Sequence, residues 1–176
     1  MHRTQTAALL ASMILVACGD KDDTGTADSG SAGSVIPQEG EWIPSNLVLV
    51  SDGCGLYPDG LDDSDNTTPA TLTMDGDAAF TLTDDTGLLL TCALDTSSGF
   101  VCDPLEDNMD FTKDGVDIYL TRSIIYSGVF ETTTSGSLFS ELTVSCEGED
   151  CGQFEKKEAT TLPCTVLIEG DVNLVE

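Results

Sequence analysis

Alternation with a period of two is the feature that most narrows what this chain can fold into. In PATLTMDGD, Ala70, Leu72 and Met74 alternate with Thr71 and Thr73, and in AAFTLTDD, Phe80 and Leu82 alternate with Thr81 and Thr83. Successive strand residues point to opposite faces, so such a run buries one face and wets the other. Asp75 and Gly76 fall between the two runs and favour a tight hairpin. The alternation returns in GVDIYLTR, with Val116, Ile118 and Leu120 on one face, and in SLFSELTVSC, with Leu138, Leu142 and Val144. Helical periodicity is nearly absent. A short turn of helix is expected only over residues 151–159, where Glu155, Lys156, Lys157 and Glu158 cluster.

Strands are expected over residues 42–50, 70–74, 79–83, 88–94, 100–103, 116–121, 124–132, 137–146 and 165–174. Short strands joined by tight turns predict an all-β domain over residues 40–176, a single antiparallel barrel or sandwich of about eight or nine strands. That length suffices for one domain with its own core and is short for two.

The cysteines bear on both fold and compartment. Of seven, Cys18 stands apart near the amino terminus and six lie within the β domain. An even set in an exported chain implies three disulfides. In TCALDTSSGFVC, Cys92 and Cys102 are equally far from a turn centred near Ser97, as cross-strand neighbours in a hairpin would be, so these two are expected to pair. CEGEDC allows Cys146 to close a small loop with Cys151, which leaves Cys54 for Cys164, although exchange among these four stays open. Thiolate metal binding is disfavoured, because there is neither a CxxC pair nor a nearby histidine.

Upstream, Arg3 precedes an apolar run over residues 7–17 that is too short to span a bilayer, which takes roughly 20 helical residues. Positive charge, apolar run and small residues before a cysteine read as a secretory signal. Leu15, Val16, Ala17 and Cys18 resemble the lipobox of bacterial lipoproteins. The resemblance implies cleavage after residue 17, lipidation of Cys18 and anchoring to a membrane of the bacterial cell envelope, the outer membrane favoured, with the domain in the periplasm or at the cell surface. Two or more acyl chains give a stable anchor that one chain does not. Residues 18–39 follow, rich in Asp, Thr, Gly, Ser and Ala, with too little apolar surface to offset the entropy of ordering. They are expected to be a disordered acidic tether with a reach of about 25 Å. Acidic tethers of this kind are similar to those of many uncharacterised bacterial lipoproteins.

Cleavage after residue 17 would remove His2, the one histidine, and Arg3, leaving five bases against 32 acids. The commonest general base and the commonest zinc ligand go with His2. Carboxylates alone support glycosidase chemistry, but acids are so frequent here that no pair stands out, and no enzyme is expected. An acidic surface of this strength repels nucleic acid, whose binding rests on neutralising phosphates.

Three candidate sites remain. GEW at the start of the domain resembles the GxW that opens the first strand of lipocalins and related barrels, where the tryptophan plugs one end; Trp42 is expected either in that role or as an ordinary core anchor. If the barrel is hollow, Phe80, Leu90, Ile118, Tyr119, Ile125, Tyr126 and Phe130 are candidates to line a cavity for one small hydrophobic molecule, with Arg122 facing a ligand anion; if it is filled, they pack and Arg122 pairs with a neighbouring carboxylate. The loop YPDGLDDSDNTT puts Asp59, Asp62, Asp63 and Asp65 close together, oxygen ligands that suit calcium, with a solvated surface loop as the alternative. No other cofactor is expected. The functional expectation is a non-catalytic binding or interaction domain, with an envelope protein or a small hydrophobic ligand as its partner.

Overall fold

The computed structural model describes residues 34–61, 68–112 and 115–175. From Ala32 onward the chain forms a compact unit of its own. Its described residues make nine strands and one helix: β1 (Gly40–Asp52), β2 (Ala70–Met74), β3 (Ala79–Asp84), β4 (Leu89–Leu94), β5 (Gly99–Cys102), β6 (Leu105–Asp110), β7 (Tyr119–Phe130), β8 (Ser135–Glu147), α1 (Cys151–Glu158) and β9 (Cys164–Leu174). The domain is all-β, as expected, and the choice between barrel and sandwich falls to a barrel. Every neighbouring pair is antiparallel, β1 pairs with both β2 and β9, and β5 pairs with β7, so eight strands close on themselves and β6 is extra.

Two strands differ from expectation. The runs over 116–121 and 124–132 are one strand, β7, whose polar Arg122 and Ser123 lie in continuous register with β8. LEDNMD, which lies outside every expected strand, is β6 and pairs with the first half of β7. Strand β5 pairs with its second half, so β5 and β6 run end to end along one partner. From Val101 to Leu105 the chain advances four residues while β7 advances three, from Ser127 to Ile124, which makes a bulge at Asp103 and Pro104. Proline fits there because the site demands no ladder donor.

The pleat explains the core. In β4 the burial alternates strictly, with Leu90, Cys92 and Leu94 inside and Leu89, Thr91 and Ala93 outside. Outside, Thr71 lies opposite Thr83, Thr73 opposite Thr81 and Thr81 opposite Thr91, a β-branched patch suited to a half-wet sheet face. Inside, Trp42, Leu72, Phe80, Phe100 and Phe130 form one cluster at the base, and Cys54, Val144, Cys164 and Val166 form a second at the opposite end. Gly128 is needed at the closure. A Cβ there would meet the Ser137 carbonyl and come within 2.7 Å of the Phe100 ring, which instead lies across the glycine and stacks on Phe130 at 4.9 Å.

Contacts with the barrel begin before residue 40. Pro37 is buried, Val35 packs against the base cluster, and the Trp42 indole N–H donates to the Gln38 carbonyl at 2.9 Å. The last residues of the segment expected to be tether thus cross the base of the barrel. The Val35 amide donates to the Ser98 hydroxyl at 2.6 Å. Ser98 is buried and sits at φ 70°, the backbone region where the equivalent turn on the other side of β4 has Gly87. A hydroxyl that receives this strap gives a reason for serine where glycine would be less strained.

Three turns share one device. Asp84, Asp95 and Asp110 each accept, on Oδ1, hydrogen bonds from the amide and hydroxyl two residues ahead, Thr86, Ser97 and Thr112. The Ser97 hydroxyl, then the Ser97 and Gly99 amides, hold the Asp95 carboxyl below its ordinary range. A carboxyl lowered on folding stabilises the fold above its unfolded value, and that contribution is lost as pH falls through the folded value. Asp95→Ala is therefore expected to melt at lower temperature than the parent at about pH 7, with the gap narrowing as pH falls below the unfolded value of about 3.9 and through the lower folded value. Paired thermal melts check this; a gap that persists in acid would assign the loss to packing.

Candidate functional site

The strands build a wall of uneven height. Strands β1, β7, β8 and β9 are 11 to 13 residues long, whereas β2 to β5 are four to six. At about 3.3 Å per residue the tall side rises roughly 40 Å and the low side less than half of that. Strands β1 and β2 share only three register positions, ending at Trp42 and Ala70, and part above them. Among the described residues the barrel is consequently shut at its base and uncovered by strand where β1 and β2 part.

Between the two core clusters lies a cavity of about 400 Å³. Its floor is the aromatic cluster, in which Trp42 meets Phe130 edge-on at 5.4 Å and Phe80 meets Phe100 and Phe130 edge-on at 5.5 and 5.6 Å. Its walls are aliphatic, with Leu82, Leu90, Leu105, Ile124, Leu138 and Ile168 among them. Polar atoms come from few side chains: Tyr57, Thr68, Asp84, Tyr126 and Ser140. A volume in this range, apolar walls and a few placed polar groups are the ordinary makeup of a small-molecule site.

Each polar group is positioned by its element. Ser140 lies between Tyr126 on β7 and Ile168 on β9 in register. Tyr126 faces inward, and burial, with the nearby Tyr57 phenol, pushes its hydroxyl above its ordinary value, so it stays protonated and able to donate at neutral pH. Asp52 holds the chain that carries Tyr57, accepting from the Leu56 amide at 3.1 Å and the Tyr57 amide at 2.7 Å. Burial opposes ionisation of Asp52, but the amides of Tyr57, Leu56, Gly55 and Cys54 outweigh it and its carboxyl is lowered. Asp84 ends β3 on the face that carries Phe80 and Leu82, at the rim.

Of the residues expected to line a hollow barrel, Phe80, Leu90, Tyr126 and Phe130 do so. Tyr119 and Ile125 do not. They carry odd numbers on β7, whose even-numbered residues point inward, and each is 37% exposed. Ile118 is buried but lies beside a separate groove with Phe111 and Phe154 of α1, beyond the top of the barrel. Trp42 is 4% exposed and both anchors the core and floors the cavity. Arg122 shares the inward parity of Ile124 and Tyr126, but it is exposed, forms an ion pair with Asp107 directly opposite on β6, and is not among the residues that line the cavity. Expectation missed Leu82, Leu105, Leu138 and Ile168, although the first sits in the same alternating run as Phe80.

The three disulfides are Cys54–Cys164, Cys92–Cys102 and Cys146–Cys151. The first ties the loop after β1 to the start of β9 and braces the open end. Cys18, with Asp62, Asp63 and Asp65 of the acidic loop, lies outside the described residues; Asp59 is exposed. Among the described residues no group of three or more His, Cys, Asp or Glu is placed to hold a metal, and no helix is long and apolar enough to cross a membrane. Comparison with family models, with curated proteins and with solved structures finds no match for this chain.

Proposed function

We propose that this protein is a lipoprotein of the bacterial cell envelope, anchored through acyl chains on Cys18, outer membrane favoured, whose barrel binds one small hydrophobic molecule without transforming it. The cavity of about 400 Å³, apolar in its walls and floored by aromatic rings, carries this reading. A packed β domain leaves few voids larger than a water molecule, so a hollow of this size in a barrel with a built aromatic floor supports a ligand site. The resemblance of residues 15–18 to a lipobox supports the anchor.

A second reading, a module that binds an envelope protein, draws on the outer face. Val101, Val129 and Phe139 are 57%, 42% and 42% exposed and lie diagonally adjacent across β5, β7 and β8.

One preparation tests both. Cells fed an alkyne fatty acid should label the parent protein and not Cys18→Ala. The chain from Gly19 onward, exported without the anchor, should bind the neutral dye N-phenyl-1-naphthylamine in one-to-one ratio. Ser140→Phe, which places a ring in the cavity without removing core volume, should weaken that binding by about tenfold or more, some 1.4 kcal/mol. Dye binding unchanged by Ser140→Phe would place the dye outside the barrel and leave the protein-binding module as the better reading.

A further inference from the structure

We infer that the barrel selects neutral or amine-bearing apolar molecules and discriminates against carboxylates of the same size, an inference that rests on the carrier reading above. Among the described residues, the polar side chains that line the cavity are one carboxylate, two phenols, two hydroxyls and the Trp42 indole, whose N–H is taken by Gln38, and none is Lys, Arg or His. The bias extends well beyond the rim. Between Lys21 and Lys113 the sequence holds no basic residue, so β1 to β6, including the entire low wall, contain none. Arg122 of β7 is held by Asp107 outside the lining.

Two physical consequences follow for a ligand. An apolar anion would give up hydration on entering and, among the described lining residues, meet no cation in return, since Arg122 on the same face of β7 is already paired with Asp107; this is the costly case of an unpaired buried charge. The chain as a whole, with a formal charge of −26, also repels it on approach. An amine meets the opposite situation. Asp84 stands at the rim, where the Thr86 amide, the Thr86 hydroxyl and the Leu88 amide converge on Oδ1 at 2.9, 2.7 and 2.9 Å. The Thr86 hydroxyl in particular keeps that carboxyl lowered and ionised. A carboxylate offers about four lone-pair sites, so acceptor capacity remains for a ligand N–H. Further in, Tyr126 provides a hydroxyl that donates or accepts, which suits an alcohol or amine equally.

The test compares decylamine, decanol and decanoate as competitors of N-phenyl-1-naphthylamine on the chain from Gly19 onward, below their micelle-forming concentrations, at about pH 7 where the amine is charged. Expected is tightest binding for the amine, then the alcohol, then the carboxylate, with the amine ahead of the carboxylate by about tenfold. Asp84→Asn keeps a side-chain carbonyl for the turn and removes the charge; it should cost the amine about three- to fivefold, the scale of a partly exposed ion pair, and leave the alcohol unchanged. A thermal melt within a few degrees of the parent shows that the turn survives. Decanoate matching the amine, or an amine affinity unmoved by Asp84→Asn, overturns the inference and leaves the carrier standing. Failure of the dye itself to bind overturns the carrier reading instead. Dye binding that none of the decyl compounds displaces overturns the ligand class.

Discussion

Replacing Cys54 and Cys164 together with alanine is expected to lower folding stability by about 5 kcal/mol, the largest loss among the three disulfides. The two cysteines are 110 residues apart, against 10 for Cys92–Cys102 and 5 for Cys146–Cys151. A cross-link stabilises chiefly by restricting the unfolded chain, so on loop length the three rank at about 5, 3 and 2 kcal/mol. Packing does not set this order, since Cys54 and Cys164 are each 7% exposed and Cys92 and Cys102 are buried still more fully, so the ranking rests on loop length. A domain of this size has a net stability of roughly 5–15 kcal/mol, so the double variant should lose about a third of it or more. Urea unfolding of the three double-alanine variants under oxidising conditions measures the ranking. If Cys92→Ala with Cys102→Ala proved the most damaging, lost packing at these two core residues, 0% and 3% exposed, would outweigh chain entropy.

Phe80→Ala is expected to cost about 3–5 kcal/mol and to enlarge the cavity. Phe80 is 1% exposed, sits on the base cluster and touches both Phe100 and Phe130 ring to ring. Truncation removes its apolar burial and leaves a void beside an existing hollow, so the neighbouring rings have little reason to collapse inward. The same substitution should admit bulkier ligands, because the lost ring lies in the cavity floor. Urea unfolding gives the stability change, and dye titration with and without a larger competitor gives the cavity change. A loss below about 1 kcal/mol would mean that the aromatic floor is loosely packed.

Residues 70–94 show how much local information the chain carries. Strict alternation placed Leu72, Phe80 and Leu82 on one face because a strand has only two faces, and any register slip would expose the whole set. The Cys92–Cys102 bridge was readable for a similar reason: both residues lie equally far from one turn, and they are direct register partners. The repeated Asp-x-Thr or Asp-x-Ser at the three turns is equally present in the sequence, and it marks the same side-chain-to-backbone capping each time.

Other residues depend on partners that sequence distance hides. LEDNMD has the composition of a loop, with two partly buried apolar residues, and becomes a strand because β7 offers it an edge. Arg122 and Ser123 look like a break, yet β6 and β8 hydrogen-bond the chain on both sides there and hold it extended. Tyr119 and Ile125 have the composition of lining residues, but once β8 sets the register of β7 their parity turns them outward.

The sequence by itself determined the class of fold, the hairpins, one disulfide and the resemblance to a lipid-anchored exported protein, since each rests on short-range pattern or composition. Tertiary structure alone decided the rest. Barrel closure through the pairing of β5 with β7 and of β1 with β9 brought Cys54 to Cys164 and fixed which side chains share the interior. Whether inward-facing residues fill a barrel or line a hollow depends on how many strands close it and how they are staggered, a property of the closed ring that no single strand carries.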